Sequence, residues 1–286
     1  MPHPTDRINL TVANGEPLVW GKRTYVMGII NLTPDSFSGD GLVGDLESIV
    51  RRGLRFQEAG ADFLDLGAES TRPGNRPITA QAELERLLPA LKALAPKVNI
   101  PISVDTYKSK VAQAALAAGA AMVNDVWGLK KDPKLAAVAA KAVAPMVLTH
   151  NQRGVQYQDL LADIFASLRS SVQAALDAGV AQENIILDPG IGFGKTPDHN
   201  LEILGDLKKF KDLGYPLLVG TSRKSTIGLV LDRPPDQRVE GTAATVALAI
   251  AGGADIVRVH DVEEMVQVCR MTDAVIRGWR PAGWDR

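Results

Sequence analysis

Short apolar runs of six or seven residues recur along the chain, and segments with apolar residues at helical spacing separate them. The runs are rich in Val, Ile and Leu, which is typical of strands that are buried on both faces. They are YVMGII (25–30), DFLDLGA (62–68), PISVDT (101–106), AMVNDV (121–126), PMVLTH (145–150), NIILDP (184–189), PLLVGT (216–221) and DIVRVH (255–260). The pattern predicts eight buried strands.

The segments between these runs have the pattern of amphipathic helices. Several are rich in Ala and end in Gly, and Gly at the end of a helix before a strand is typical of αβ loops. The clearest are 46–60, 82–94, 110–119, 160–179 and 262–279. Alternating strands and helices predict a parallel sheet, and eight such units in about 250 residues favour an α/β fold of the (β/α)8 TIM barrel type over an open doubly wound sheet.

The segment INLTVANGEPLVWG (8–21) has a different pattern, because Asn-Gly lies between two alternating stretches. This arrangement is typical of a β-hairpin. We expect the hairpin to cover the N-terminal mouth of the barrel, and residues 1–286 to form one domain.

Composition narrows the classes of function. The chain has 286 residues, 45% of them hydrophobic and 23% charged, and its formal net charge is −1. This balance argues against a general nucleic-acid or membrane binder. The single cysteine excludes an internal disulfide framework, and the first residues lack an apolar signal core. We expect a cytoplasmic protein.

Polar side chains stand at the end of nearly every predicted strand. Taken singly, each is readily explained as a helix N-cap or a turn residue. In a barrel, however, the loops at the C-terminal ends of the strands build the active site, so together they predict one. The candidates are Asn31, Glu69, Ser70, Thr71, Arg72, Asp105, Asn124, Asp125, His150, Asp188, Ser222, Arg223, Lys224, Arg258 and His260.

The last strand carries two basic groups inside an apolar run. Arg258 and His260 are two positions apart, so they lie on one face of the strand. A desolvated charge needs a partner, and a bound anion is a natural candidate.

Two loops are unusual in length or in glycine content. NLTPDSFSGDG (31–41) is longer than a turn requires, and at a strand end it predicts a loop of the site rather than a solvated connector. PGIGFGKT (189–196) is not a phosphate-binding Walker loop, because position 189 is Pro where that motif needs Gly. Its glycines instead indicate close approach of backbone and the Phe193 ring to a flat ligand.

These segments together resemble the dihydropteroate synthase family along almost the whole chain. The motifs are NLTPDSFSGDG (31–41), GAESTRPG (67–74), PISVDTYKSKVAQAALAAGA (101–120), NDV (124–126), DPGIGFGK (188–195), GTSRKS (220–225) and RVHDV (258–262). The resemblance implies a barrel enzyme that condenses 6-hydroxymethyl-7,8-dihydropterin diphosphate with p-aminobenzoate, giving 7,8-dihydropteroate and pyrophosphate. It also implies a homodimer.

The resemblance further implies roles for individual residues. Its catalytic set is Asp105, Lys224, Arg258 and His260. Its set for the pterin and the diphosphate is Thr71, Asp105, Asn124, Val126, Asp188, Lys224, Arg258, Val259 and His260. Its set for p-aminobenzoate is Thr71, Arg72, Pro73, Phe193 and Ser222. Asn31 is implied as a ligand of Mg²⁺.

Two positions depart from the family's usual pattern. The order Gly39-Asp40-Gly41 replaces Asp-Gly-Gly, which affects how the 31–41 loop closes. Thr149 stands before His150 where relatives commonly have Met, so we expect pterin affinity to change modestly.

Two other functions fit part of the pattern. A barrel that binds methyltetrahydrofolate and passes its methyl group to a corrinoid protein shares the pterin-recognising Asp and Asn residues, but it has no use for a diphosphate site. A non-catalytic paralogue would bind pterin without releasing pyrophosphate.

Overall fold

The chain folds into alternating strands and helices. The computed structural model describes residues 7–11, 17–33, 45–70 and 76–284. The strands are β1 (Arg7–Thr11), β2 (Pro17–Val19), β3 (Tyr25–Asn31), β4 (Phe63–Gly67), β5 (Ile102–Asp105), β6 (Met122–Asp125), β7 (Met146–Thr149), β8 (Ile185–Asp188), β9 (Leu218–Val219) and β10 (Ile256–Val259). The α-helices are α1 (Leu46–Ala59), α2 (Ala80–Leu94), α3 (Ser109–Ala117), α4 (Lys134–Lys141), α5 (Leu160–Asp177), α6 (Pro197–Gly205), α7 (Ser225–Leu231), α8 (Val239–Ala251) and α9 (Val262–Ile276).

Strands β3 to β10 form one parallel eight-stranded sheet in the order β8-β7-β6-β5-β4-β3-β10-β9. A parallel bridge between Leu187 and Leu217 joins the two ends of this order, next to β8 and β9. The sheet is therefore a barrel, and the predicted (β/α)8 fold is confirmed. Each of the eight apolar runs contains one strand of the barrel.

The N-terminal end of the barrel interior is apolar. Because side chains alternate along a strand, every second residue points inward. The inward residues nearest the strand starts pack together, and we call them the bottom layer: Tyr25, Met27, Phe63, Met122, Val147, Ile186, Leu218 and Ile256. Leu18 of β2 is fully buried against this layer, and β2 pairs antiparallel with β1. The β1–β2 pair therefore covers the N-terminal mouth, whereas the single domain over 1–286 stays a prediction.

The outward residues of the strands pack against the helices. Helix α1 shows why such a segment forms: Asp45 accepts a hydrogen bond from the Ser48 amide at 2.9 Å, which caps the start. Gly60 ends it with φ of 101°, a conformation that favours glycine. Between these caps, Ile49 and Phe56 turn toward the strands and are buried. In the described part of the chain, no helix is long and apolar enough to cross a membrane.

Candidate active site

A polar layer lies above the apolar bottom layer inside the barrel. On five strands, the alternation places a polar side chain two positions after a bottom-layer residue, hence on the same inward face, and Ser103 of β5 joins them. The layer consists of Asp65, Ser103, Asn124, Thr149, Asp188 and Arg258, and all but Arg258 are at most 7% exposed. The strand ends thus bring Asn124, Asp188 and Arg258 together as predicted, and they add Asp65.

Arg258 joins two carboxylates across the barrel. Its Nε donates to Asp65 Oδ2 at 2.6 Å, and one terminal nitrogen donates to Asp105 Oδ2 at 2.9 Å. Asn124 Nδ2 donates to the same Asp65 oxygen at 3.0 Å. The sequence predicted a partner for this desolvated cation, and the structure supplies two within the protein.

Each of these two carboxylates has one buried oxygen without a hydrogen-bond partner among the described residues, and the buried Ser103 hydroxyl also lacks a partner there. Burial raises the pKa of Asp105, although the Arg258 charge opposes this shift. Leaving a buried acceptor without a donor is unfavourable by about 1–3 kcal/mol. The two free oxygens, Asp65 Oδ1 and Asp105 Oδ1, therefore suit a ligand that brings N–H donors.

Asp188 and Lys224 form a second charged group of the site. Asp188 accepts a hydrogen bond from the Gly190 amide at 2.7 Å, and burial raises its pKa while Lys224 opposes this shift. Lys224 stands at the N-cap of α7, donates to the Ile191 carbonyl, and its Nζ lies 4.8 Å from the centroid of the Phe193 ring. Burial lowers the pKa of Lys224 to about 8.

Ser222 and His260 are bonded to one another. The Ser222 hydroxyl accepts from the His260 amide at 3.1 Å and lies 3.1 Å from His260 Nδ1. Next to this pair, Arg223 forms an ion pair with Asp261. Ser222 therefore has a role toward the imidazole, which the sequence did not predict.

The remaining predicted residues differ in what the structure says of them. Asn31 ends β3, and its Oδ1 lies 3.9 Å from the point where a Cβ on Gly67 would stand. Asp105 Oδ2 lies 3.6 Å from that point. Val126 is buried, and the Val259 side chain packs in the outer core, so only its backbone is suited to contact a ligand. Thr71, Arg72, Pro73 and the Gly39-Asp40-Gly41 order lie outside the described residues.

Sequence reasoning missed Asp65, Lys195 and the use of His150. Asp65 had a readable signal, because a carboxylate at an inward position of the buried run DFLDLG needs a partner. Lys195 lies on the 189–196 loop, and its Nζ is 2.8 Å from His150 Nδ1. That contact joins two loops that are distant in sequence, so no local pattern reveals it.

Comparison with known proteins identifies the family of the chain. A family profile described as pterin binding enzyme matches residues 27–260. A dihydropteroate synthase of Clostridium beijerinckii is 50% identical over 258 residues, which are 90% of this chain and 96% of that protein. The chain belongs to the dihydropteroate synthase family. Dihydropteroate synthases transfer a pterin-methyl group, so the chain is a transferase.

Solved dihydropteroate synthases share the fold. One from Clostridium difficile, crystallised in the presence of pteroic acid, is 50% identical with a TM-score of 0.87, over 90% of this chain and 98% of that one. One from Xanthomonas albilineans with 4-aminobenzoic acid is 40% identical with a TM-score of 0.87, over 97% and 100% of the two chains. These relatives favour a dihydropteroate synthase over a corrinoid methyltransferase.

Proposed function

We propose that the chain condenses 6-hydroxymethyl-7,8-dihydropterin diphosphate with p-aminobenzoate and releases pyrophosphate. The observation that carries this proposal is the pair of unpartnered buried oxygens, Asp65 Oδ1 and Asp105 Oδ1, on either side of the Arg258 guanidinium. The two oxygens offer acceptors to the N–H groups of a pterin, and the guanidinium offers a cation to its diphosphate. The relatives crystallised with pteroic acid and with 4-aminobenzoic acid support the same pair of ligands.

The pterin occupies the polar layer of the barrel. Asp105, Asn124 and Asp188 accept from its amino-pyrimidinone edge, and Lys224 donates to the acceptor side of the ring. The buried Val126 side chain packs on the ring. Asn124 lies on β6 and Asp188 on β8, the two neighbours of β7. Thr149 on β7 therefore faces the same ligand.

The diphosphate binds beside the pterin at the end of β10. The groups that bind it are Arg258, His260, Thr71 and the backbone of Val259. The Ser222 hydroxyl supports this role, since its bond to His260 Nδ1 orients the imidazole.

Asn31 fits a Mg²⁺ ligand. Its amide oxygen and the Asp105 carboxylate lie near one point at the mouth of the barrel, and Mg²⁺ prefers oxygen ligands supplemented by substrate phosphates. Among the described residues, no group of three or more His, Cys, Asp or Glu side chains could hold a metal ion. We infer that phosphate oxygens of the substrate complete the ligand set. A divalent ion here would neutralise charge on the leaving pyrophosphate.

In an Asn31→Ala variant, we expect the Mg²⁺ concentration that gives half-maximal activity to rise by about tenfold, because the ion loses one oxygen ligand. Isothermal titration of Mg²⁺ into the protein with bound pyrophosphate checks the same ligand without turnover. Unchanged Mg²⁺ dependence in both measurements contradicts the assignment.

The aminobenzoate lies against Phe193 and Ser222, together with Thr71, Arg72 and Pro73. In the reaction, the C–O bond to the diphosphate breaks and its electron pair leaves with pyrophosphate. The amine lone pair then forms the C–N bond, and the amine gives one proton to the released pyrophosphate or to solvent. Asp105 and Asp188 stabilise the positive charge that develops on the pterin methylene, and Arg258 and His260 stabilise the leaving group. No covalent enzyme intermediate is needed, because the amine is the nucleophile.

A homodimer is the finer proposal for the quaternary structure. The outer faces of α8 and α9 expose large apolar side chains, of which Met271 is 65% and Val275 70% exposed. With Leu248 and Ile276, they line an apolar groove of 560 Å³, and a second copy of the chain would cover it. Val275→Glu should convert a dimer to a monomer in light scattering, whereas a wild-type monomer contradicts the proposal.

The deciding experiment mixes purified protein with dihydropterin diphosphate, Mg²⁺ and p-aminobenzoate, and measures pyrophosphate and dihydropteroate. Equal amounts of both products are expected, and Lys224→Ala should abolish them. Lys209→Ala is the matched control, because Lys209 pairs with Asp206 on the exposed surface. Pterin binding without either product contradicts the catalytic proposal and favours the non-catalytic paralogue.

A further inference from the structure

The backbone of the loop 189–196, between β8 and α6, has a conformation that is found in neither helices nor strands. Gly190, Gly192 and Gly194 have φ of 74°, 82° and 58°, so every second residue is in the left-handed region. Within the loop, the Phe193 amide donates to the Gly190 carbonyl at 3.0 Å. A conformation of this kind depends on side chains that bond its other backbone groups.

Four side chains supply those bonds, one for each of the consecutive residues 191 to 194. They are Lys224 to the Ile191 carbonyl, Asn200 Oδ1 to the Gly192 amide at 2.7 Å, Lys195 to the Phe193 carbonyl at 3.0 Å, and Tyr157 to the Gly194 carbonyl at 2.7 Å. Of these four bonds, the one from Lys195 is made to the backbone of Phe193, the residue whose ring lines the site.

Lys195 also ties this loop to the end of β7. The residue is 9% exposed, and its Nζ lies 2.8 Å from His150 Nδ1 and 3.4 Å from the His150 carbonyl. Burial and the charges of Lys195 and Lys130 lower the pKa of His150 to about 2, so the ring is neutral, and with the proton on Nε2 its Nδ1 accepts from the Lys195 ammonium. The three partners of Nζ are therefore all acceptors, and an ammonium has three N–H groups to match them.

We propose that Lys195 is a positioning residue that holds the Phe193 ring in place for p-aminobenzoate. This inference rests on the function proposed above, because that function places aminobenzoate against Phe193. The ammonium clamps the Phe193 carbonyl to His150, and the ring on the same residue stays beside the Lys224 ammonium, 4.8 Å from its centroid. Among the hydrogen bonds of Lys195, the one to the Phe193 carbonyl is at a residue proposed to touch p-aminobenzoate.

The clamp depends on pH near neutrality. Burial lowers the pKa of Lys195 to about 7, Asp188 opposes that shift, and Lys224 and Lys130 add to it. Above this pH the neutral amine has two N–H groups for three acceptors, so one bond is lost. The KM for p-aminobenzoate should therefore rise between pH 6 and pH 8.

The test compares Lys195→Met with Tyr157→Phe in steady-state kinetics. Lys195→Met keeps the length of the side chain and removes its donors, and it should raise the KM for p-aminobenzoate by about tenfold, the effect of one charge-assisted hydrogen bond. The KM for dihydropterin diphosphate should change less than twofold. Tyr157→Phe removes the neighbouring bond, but the pKa of Tyr157 is raised to about 12, so this variant should keep the wild-type pH dependence and Lys195→Met should lose it.

An equal rise in both KM values overturns the proposal. So does a rise in the KM for p-aminobenzoate between pH 6 and pH 8 that is as large in Lys195→Met as in wild type. Amide hydrogen exchange separates it from the proposed function, because it needs no turnover. Residues 191–194 should exchange about tenfold faster in Lys195→Met than in wild type, and unchanged exchange also overturns the proposal. If the wild-type protein forms no dihydropteroate but residues 191–194 still exchange faster in Lys195→Met than in wild type, the proposed function is wrong and the positioning role of Lys195 stands.

Discussion

Removing the charge of Asp65 should destabilise the protein and weaken the site together. Asp65 is fully buried and bonds both Arg258 and Asn124 through one oxygen. Asp65→Asn keeps the shape of the side chain and removes its charge. Of its two ion pairs among the described residues, Arg258 then keeps the one with Asp105, on a side chain that is 21% exposed.

The magnitude follows from these contacts. Removing one partner of a buried ion pair destabilises a protein by about 3–5 kcal/mol. Because Asp105 remains 2.9 Å from the guanidinium, we expect the lower end, about 3 kcal/mol. With a urea m-value of about 3 kcal/mol per M, the unfolding midpoint should fall by about 1 M. The KM for dihydropterin diphosphate should rise by about tenfold, since Arg258 loses the bond that orients it.

Urea unfolding followed by fluorescence, together with steady-state kinetics, checks both effects. Asp62→Asn is the matched control, because Asp62 forms a two-bond ion pair with Arg23 just before β4, at the opposite end of the barrel. The control should lose stability and keep its kinetic constants. If Asp65→Asn keeps the wild-type midpoint within about 0.2 M and the wild-type KM, the argument from the buried pair is wrong.

Three further predictions test other parts of the site. Burial lowers the pKa of Lys224 to about 8, so kcat/KM should fall as the pH rises through 8 and the ammonium is lost, and in Lys224→Arg this fall should move to higher pH; a pH–rate profile checks both. Gly190→Ala should lower the free energy of unfolding by at least about 3 kcal/mol, because its Cβ would lie 1.9 Å from the His150 carbonyl at a φ of 74°. Gly205→Ala in α6 is the control, because there is open space around its Cβ, and in urea unfolding it should change that free energy by less than about 1 kcal/mol. Thr149→Met should change pterin affinity by less than about tenfold, since a sulfur contact to a ring contributes about 0.3–1.5 kcal/mol; an unchanged titration curve removes any role for Thr149.

The barrel was predictable because its signal is local and repeated. Each strand is one apolar run, and each helix carries apolar residues at its own period, so the order of elements follows from the chain alone. The β1–β2 pair was readable for the same reason, since Asn-Gly specifies a tight turn. Eight units then leave few topologies other than closure, because parallel strands need both faces covered.

The site was predictable only in part. Asp105, Asn124, Asp188 and Lys224 follow from their places at strand ends, and the family resemblance assigns them partners. Asp65 was missed although a carboxylate inside the apolar run DFLDLG needs a partner, because the run does not show where on the other strands that partner lies. The roles of Thr71, Arg72 and Pro73 stay predictions.

Residues that are neighbours along the chain specify the alternation of strands and helices and the chemistry available at each strand end. Which of these groups meet depends on the packing of the whole barrel. Arg258 pairs with Asp65 and Asp105, which are 193 and 153 positions away, and Lys195 clamps the loop of Phe193 to His150. Such pairings depend on how the strands of a closed sheet are staggered, and no short segment of sequence encodes that stagger.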